Sequence, residues 1–498
     1  MTIMTATLVA LLLLYIVSAT YVVIWRLYFS PLAKFPGPKI AAATLLYEMY
    51  YDIVAGGQYT FKIGEMHEKY GPIVRINPWE IHINDPEFYD EIYVGGSKIR
   101  DKWPYLCGQF GIPDAVVATV SHNLHRLRRT PMNKLFSKAS ITRLEPLIES
   151  TIDGLITRLR EFQDTNTVVT MSLAWGCVTM DIISDYAFGN SYNYVQTSKG
   201  FHSHVQAGLK GISKWGFIVK QVPWIMPWMS KLPHSVMRSL FPTVVDVLIF
   251  REDIQAQCEA AIHEQKGDNK SLSGRTIFHE ILSSDLSPQE KTSNRLMQEG
   301  VALIGAGTET TAWILSVITY YVLANPLIND KLKDELNAMS KDCRGHPTST
   351  QLEQLPYLGG VISEGLRLGF GVTAHLQRVS PDQDLIYGDW VIPAATPVSM
   401  SSLLLHLNPE TFPEPHTFRP ERWIENPRLS KYLVSFTKGS RQCLGINLAY
   451  AELYLCIFKV WMSFPDMHLV DTTLEDVEPV ADYFIPVASG RGVKVLMG

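Results

Sequence analysis

The apolar positions of this 498-residue chain change period several times, and each change marks an element. Thr7 to Trp25 are 19 mostly apolar positions, and no charged residue occurs from Met1 onward through them. As a helix they would extend about 28 Å, enough to cross a bilayer. The rival reading is a cleaved signal peptide, with Val17-Ser18-Ala19 as a passable cleavage site. Against it, no basic segment precedes the run and apolarity continues to Trp25. Arg26, Lys34 and Lys39 follow, and by the positive-inside rule they would hold the downstream chain in the cytosol. Pro31 and Phe35-Pro36-Gly37-Pro38 then read as a stiff hinge over 31–40, after an anchor and flank over 1–30.

Beyond the hinge the pattern is globular. Ile73 to Ile76 and Glu80 to Ile83, around Asn77-Pro78, predict a hairpin. Asp85-Pro86 opens a helix at Glu87-Phe88-Tyr89. The stretch from about Ile141 to Ile262 is mainly helical. From Asn294 to Ala324 apolar residues recur at most turns without a proline, predicting a helix of about 30 residues, long enough to cross a domain. Leu355 onward through Arg367 and Leu444 to Phe458 predict two more helices, while Asp389–Pro393 and the region of Phe484–Pro486 predict short strands. The fold class is therefore mainly α with minor β.

Composition narrows the picture by exclusion. With 46% hydrophobic residues a large core is easily supplied. A net charge of -5 and a pI near 6.3 offer no basic face for nucleic acid. Six cysteines without close spacing make neither a disulfide framework nor a CxxC zinc site.

One cysteine stands apart, in Phe436-Thr437-Lys438-Gly439-Ser440-Arg441-Gln442-Cys443-Leu444-Gly445. A thiolate at Cys443, before the Leu444–Phe458 helix, would be favoured by the helix dipole and free N–H groups. Thiolate ligation of haem iron pushes electron density toward O–O cleavage. Gly439 and Gly445 let the backbone bend and approach a flat macrocycle, Arg441 can reach a propionate, and Phe436 can shield the sulfur. This segment resembles the haem-binding loop of the cytochromes P450.

The resemblance extends to other segments. Ala306-Gly307-Thr308-Glu309-Thr310-Thr311 resembles the family's distal helix, in which Glu309 and Thr310 would match the acid–alcohol pair that delivers protons, and Gly307 would weaken the helix to open a groove. Glu364-Gly365-Leu366-Arg367 and Phe418-Arg419-Pro420-Glu421-Arg422-Trp423 are similar to the segments whose glutamate and two arginines form a buried triad. His125 and Arg129 match the family's W-x-x-x-R, with histidine in place of tryptophan, and Arg378 matches an arginine that grips a propionate from the strand side. The resemblance thus implies one catalytic haem domain over 41–498 with the P450 fold. It implies haem b, ligated by Cys443 and contacted by Arg441, Arg129, Arg378, His125 and Phe436.

It also implies partners and a place. Electrons would come from NADPH through a separate NADPH–cytochrome P450 reductase, with cytochrome b5 as a further donor, because no G-x-G-x-x-G follows a strand. Arg126, Arg128, Arg129, Lys134, Lys438 and Arg441 would cluster on the proximal side, where those free of propionate could meet an acidic partner. The expected location is the endoplasmic reticulum membrane, crossed once. Tyr70 to Pro78 with Asp85 to Asp90 is similar to fungal P450s of secondary metabolism, of the trichodiene oxygenase and pisatin demethylase types. Four segments would contact a lipophilic substrate: Trp103 to Val117, Gly208 to Met229, Phe370 to His375, and Tyr483 to Val487. The aromatic cluster Trp215, Phe217, Trp224, Ile225, Met226 and Trp228 fits either core or a second membrane contact. Monooxygenation of a terpenoid, polyketide or alkaloid is the leading expectation. The alternatives are a haem-thiolate isomerase or dehydratase needing no external electrons, a haem-binding carrier or sensor, and a cysteine hydrolase.

Overall fold

The structure is a computed structural model that describes all residues except 1, 226, 227, 229–233, 267–275 and 344. Helix α1 (Thr2–Ile24) carries its apolar side chains bare, Leu11 to Leu14 among them, each more than half exposed. In water that surface would be unfavourable; acyl chains would cover it. The chain then docks. The Arg26 guanidinium donates to the Ala43 carbonyl at 2.7 Å and lies 4.6 Å over the Trp79 ring. Leu32 and Phe35 are buried, and Phe35 stacks on Trp390 at 5.1 Å. The proline-rich segment is thus a strap fastened to the domain.

Helix α2 (Tyr59–Tyr70) leads into the hairpin of β1 (Ile73–Arg75) and β2 (Ile81–Ile83). With β3 (Arg378–Val379) and β4 (Pro397–Ser399) they form a sheet in the order β1-β2-β4-β3. Strand β2 runs parallel to β4 with Ile81 opposite Val398, and β3 runs antiparallel to β4, which places Arg378 across β4 from the hairpin. A second hairpin pairs β5 (Pro479–Tyr483) with β6 (Ile485–Ala488). The hairpin predicted around Asn77-Pro78 therefore forms, and the short strands expected near 389–393 and 484–486 each belong to a hairpin as well.

Helices dominate the rest. They include α3 (His122–Asn133), α4 (Lys138–Asp164), α5 (Met171–Phe188), α6 (His204–Gln221), α7 (Pro242–Lys266), α8 (Ser293–Leu323), α9 (Pro356–Gly369) and α10 (Ile446–Ser463). Thr292 caps α8 by accepting from the Arg295 N–H. Although α8 is apolar and long enough to span a membrane, more than half of that stretch is buried, so its apolarity serves the core. It packs along α5, which is buried nearly all round, as a central helix must be. A Cβ on Gly307 would stand 2.7 Å from Ile183 of α5. That glycine was expected to loosen the helix; it also lets α5 and α8 pack tightly at Ile183, and α8 is helical without interruption.

The loop before α10 is held by one carboxylate. Glu364 on α9 is fully buried and receives Arg367 bidentately at 3.0 and 2.6 Å, Arg422 at 3.0 Å, and the Trp423 indole N–H at 2.8 Å. Arg367 also donates to the carbonyls of His406, Pro415 and Thr417, so loop 406–417 is stitched to α9 through it. Replacing Glu364 by Gln leaves two buried guanidinium groups without their counter-charge, a loss of about 3–5 kcal/mol. A urea midpoint unchanged from wild type would mean that the loop carbonyls alone suffice.

Candidate active site

Cys443 lies three residues before α10, whose N-cap is Gly445. Its N–H donates to the Phe436 carbonyl at 3.0 Å, closing the loop into a tight arch, and the Phe436 ring rests 5.3 Å from that of Tyr450. Gly439 makes the arch possible: its φ is +77°, and a Cβ there would collide with the Val94 carbonyl at 2.2 Å. The sulfur side of the arch is open. Cys443 is exposed, and a Cβ on Gly445 would meet nothing within 4 Å. Burial in the protein mass pushes the Cys443 thiol up, while the Gly445 N–H and the nearby Arg129 favour the thiolate.

Around this opening five basic side chains gather. Arg129 donates to the Gln442 carbonyl at 2.5 Å and to Asn133 at 3.0 Å. Arg441 is buried, and its three nitrogens donate to the carbonyls of Arg100, Thr119 and Val120 at 3.2, 2.8 and 2.6 Å. Arg378 donates to the Gln377 carbonyl at 2.9 Å and lies 5.0 Å over the Tyr93 ring. His125 is buried with Nδ1 unpartnered, and burial, then Arg441, Lys102, Arg129 and Arg378, push its pKa down to about 2. Lys102 donates to the Val117 carbonyl and is pushed down to about 7 by burial, Arg378 and Arg441.

Their hydrogen bonds go to carbonyls and one amide oxygen, and to no carboxylate among the described residues. With His125 held neutral, the three guanidinium groups and Lys102 still put positive charge there that no carboxylate balances, which is unfavourable by itself and calls for anions. A haem fits this requirement. Its two propionates would supply the missing negative charge, and its iron would find an accessible sulfur on the open side of the arch.

Across from α10, in the same core, α8 turns Ala306 toward an opening: Ala306 is exposed although it lies midway along a core helix, and Glu309 and Thr310 are half-buried beside it. The Thr310 hydroxyl donates to the Ala306 carbonyl at 2.8 Å, the bond a helical threonine commonly makes. Burial raises the Glu309 carboxyl pKa, opposed by Lys210 of α6.

One expected role is corrected. Arg128 is not part of a free basic surface: it is buried, and it pairs with Glu290 at 2.7 Å because α3 packs against the turn before α8. Lys438 is held by Asp90 at 2.8 Å, whereas Arg126 and Lys134 are exposed. Lys102 and Trp423 were missed by sequence reasoning. No pattern flags a lone lysine ahead of an apolar segment, whereas Trp423 stands beside Arg422 and was within reach. In the aromatic cluster, Trp215 and Ile225 pack against Met237, Val244 and Val245, while Trp224 and Trp228 are 67% and 54% exposed. Met226 and Met229 lie outside the described residues.

A mainly helical domain with a core helix facing a cysteine arch ringed by unneutralised bases has the form of a haem-thiolate protein. The chain belongs to the cytochrome P450 family, whose profile, described as Cytochrome P450, matches residues 46–468. It is 42% identical to the cytochrome P450 monooxygenase tpcC of Cochliobolus heterostrophus, covering 98% of this chain and 97% of that protein. It is 44% identical to the cytochrome P450 monooxygenase MO6277 of Ascocoryne sarcoides, with 95% of each covered. It is 39% identical to the tryptophan 6-hydroxylase fscE of Fusarium equiseti, over 97% of this chain and 96% of that protein. The chain is thus a P450 monooxygenase similar to those of fungal secondary metabolism, an enzyme class that takes haem with a cysteine thiolate, electrons from a redox partner and a small-molecule substrate.

The basic ring yields a prediction with two opposite signs. Lys102→Met removes one unneutralised charge, so it should raise the melting temperature of the haem-free protein while speeding transfer of haem to apomyoglobin. A variant that lost stability in the haem-free state would show that Lys102 is held by its carbonyl contact alone.

Proposed function

We propose that Cys443 is the axial ligand of haem b, that Arg129, Arg378, Arg441 and His125 face its propionates, and that Phe436 shields the sulfur. The observation that carries this reading is the ring of bases without carboxylates around one accessible thiol. His125 is suited to it as a neutral ring whose unpartnered Nδ1 can donate to a propionate. Bound there, haem supplies dioxygen activation and insertion of one oxygen atom into the substrate.

The chain's own groups would do the rest. Glu309 and Thr310 would deliver protons on the α8 side. The raised pKa of Glu309 keeps a proton available nearer neutrality, and the Thr310 hydroxyl can turn from the Ala306 carbonyl to pass it on. The substrate would be a bulky, mainly apolar secondary metabolite of terpenoid, polyketide or alkaloid type, enclosed by 103–117, 208–229, 370–375 and 483–487. Phe110 against Phe484 at 4.8 Å and Phe217 near Tyr483 at 5.7 Å join three of these segments in aromatic contact. The relative named as a tryptophan 6-hydroxylase supports aromatic or alkaloid-type substrates within that range.

NADPH–cytochrome P450 reductase would donate the electrons, with cytochrome b5 as a second donor, approaching past Arg126 and Lys134. Residues 1–30 would anchor the chain in the endoplasmic reticulum, 31–40 would strap the anchor to the domain, and 41–498 would be the cytosolic catalytic domain.

The reduced, CO-bound spectrum of the purified protein tests the ligand. A Soret band far to the red is expected for wild type and absent for Cys443→Ser; an unshifted wild-type band overturns the assignment. Thr310→Ala should keep that spectrum yet lower product formed per NADPH by on the order of a hundredfold, the lower end of what a positioned proton donor contributes. For the membrane, deletion of residues 1–30 should leave protein that still sediments with vesicles through Trp224 and Trp228, and Trp224→Ser with Trp228→Ser should release it. Full solubility of the truncated chain would remove the second contact.

A further inference from the structure

Where the strap meets the domain, two further bases lie together without a carboxylate. Arg75, the last residue of β1, is 2% exposed and reaches the chain that leaves α1. Its Nη1 donates to the Arg26 carbonyl at 2.8 Å, and its Nη2 to the carbonyls of Pro78 at 2.7 Å and Ala42 at 3.5 Å. The Arg75 Nε is buried and has no partner. Arg26 is half-buried; one of its nitrogens donates to the Ala43 carbonyl at 2.7 Å, and its guanidinium lies 4.6 Å over the Trp79 ring. The other Arg26 nitrogens make no hydrogen bond among the described residues.

Every one of these bonds goes to a carbonyl. Burial, and then the neighbouring charge of Arg26, push the Arg75 pKa down to about 10, so Arg75 stays a cation at neutral pH with no carboxylate to offset it. A desolvated cation is ordinarily paired with an opposite charge. The position of the pair says what that charge could be. Helix α1 ends at Ile24, and Arg26 is flanked in sequence by Trp25, Tyr28 and Phe29, all exposed. With Trp79, which is also exposed, they make an aromatic belt of the kind found at headgroup level, where an anchor leaves the acyl chains.

We propose that Arg26, backed by Arg75, binds the phosphate of a phospholipid of net negative charge. This rests on residues 1–30 being the membrane anchor. The free edge of the Arg26 guanidinium pairs with two phosphate oxygens, and the Trp79 ring holds its plane in place. Arg75 adds unbalanced charge from the interior without touching the lipid. A zwitterionic lipid brings an ammonium of its own to the same place and gains less. Lys34 and Lys39 are exposed and belong to the general basic surface that follows the anchor.

The test uses the full-length, haem-loaded protein in nanodiscs of phosphatidylcholine and phosphatidylglycerol in equal parts, and counts by native mass spectrometry the lipid that stays bound on release. Wild type should retain phosphatidylglycerol over phosphatidylcholine by on the order of tenfold, the contribution of one or two basic side chains at a negative surface. Arg26→Gln should remove that preference, and Lys34→Gln with Lys39→Gln should keep it. Equal retention of the two lipids in wild type, a preference that survives Arg26→Gln, or one that is lost with Lys34 and Lys39, each overturns the proposal. Inorganic phosphate added to the nanodiscs should leave retention unchanged; displacement of the lipid would assign the site to free phosphate instead. The wild-type comparison stands whether or not a variant folds. Carbonate extraction reports the anchor separately: release of wild type would overturn anchor and site together, and resistance without a lipid preference would overturn the site alone.

Discussion

The architecture depends on a single desolvated carboxylate. Glu364 is the counter-charge shared by two arginines that would be ruinous alone in the interior, and those arginines in turn gather the carbonyls of the loops leading to the cysteine arch. A buried ion pair is weak evidence for net stability, since apolar replacements can match it. Its value here is geometric. Arg367 offers five donors in a fixed plane, so it can hold Glu364 and three separate loop carbonyls at once, which no apolar side chain could do. The loop 406–417 and the α9 helix are thereby fixed to each other, and Glu364 also accepts the Arg419 N–H at 3.0 Å.

On the other side of the arch the same physics runs in reverse. Arg129, Arg378, Arg441, His125 and Lys102 are brought together without a hydrogen-bonded carboxylate among the described residues, so the site calls for an anion from outside the chain. The two clusters differ in one respect: the first carries its own carboxylate and builds the scaffold, and the second has none among the described residues. This contrast also explains why Arg441 serves two ends. Three of its nitrogens hold the carbonyls that approach from 100, 119 and 120, while its charge remains unneutralised.

Much of this was legible in the sequence because it is local. The spacing of Phe436, Gly439, Arg441, Cys443 and Gly445 encodes one arch, and a proline-free apolar pattern encodes α8 to within a residue at each end. What escaped depends on contacts between distant segments. Gly307 reads as a weak point when only its own helix is considered, and becomes a close contact once Ile183 is known to face it. Arg128 looks like one of a run of surface bases, yet the helical period turns it inward to Glu290 while its neighbour Arg126 stays out. Lys102 gains its importance only from Arg378 and Arg441, more than 270 residues away.

The placing of α6 is where sequence says least, and the reason is electrostatic as much as geometric. Lys220 at the end of α6 is buried between Glu48 and Asp52, 2.7 Å from each, on the far side of the chain in sequence. Burial opposes its ammonium, but the two carboxylates outweigh that and hold its pKa above the ordinary value. Burial, with Glu48 adding to it and Lys220 opposing, leaves Asp52 at about 7. Glu80, raised to about 8 chiefly by burial, stands behind Asn77, which bridges it to Glu48. One lysine thus faces three acids, and the surplus negative charge is relieved by protons. Helix α6 is therefore tied to the strap end of the domain by a network that no motif announces.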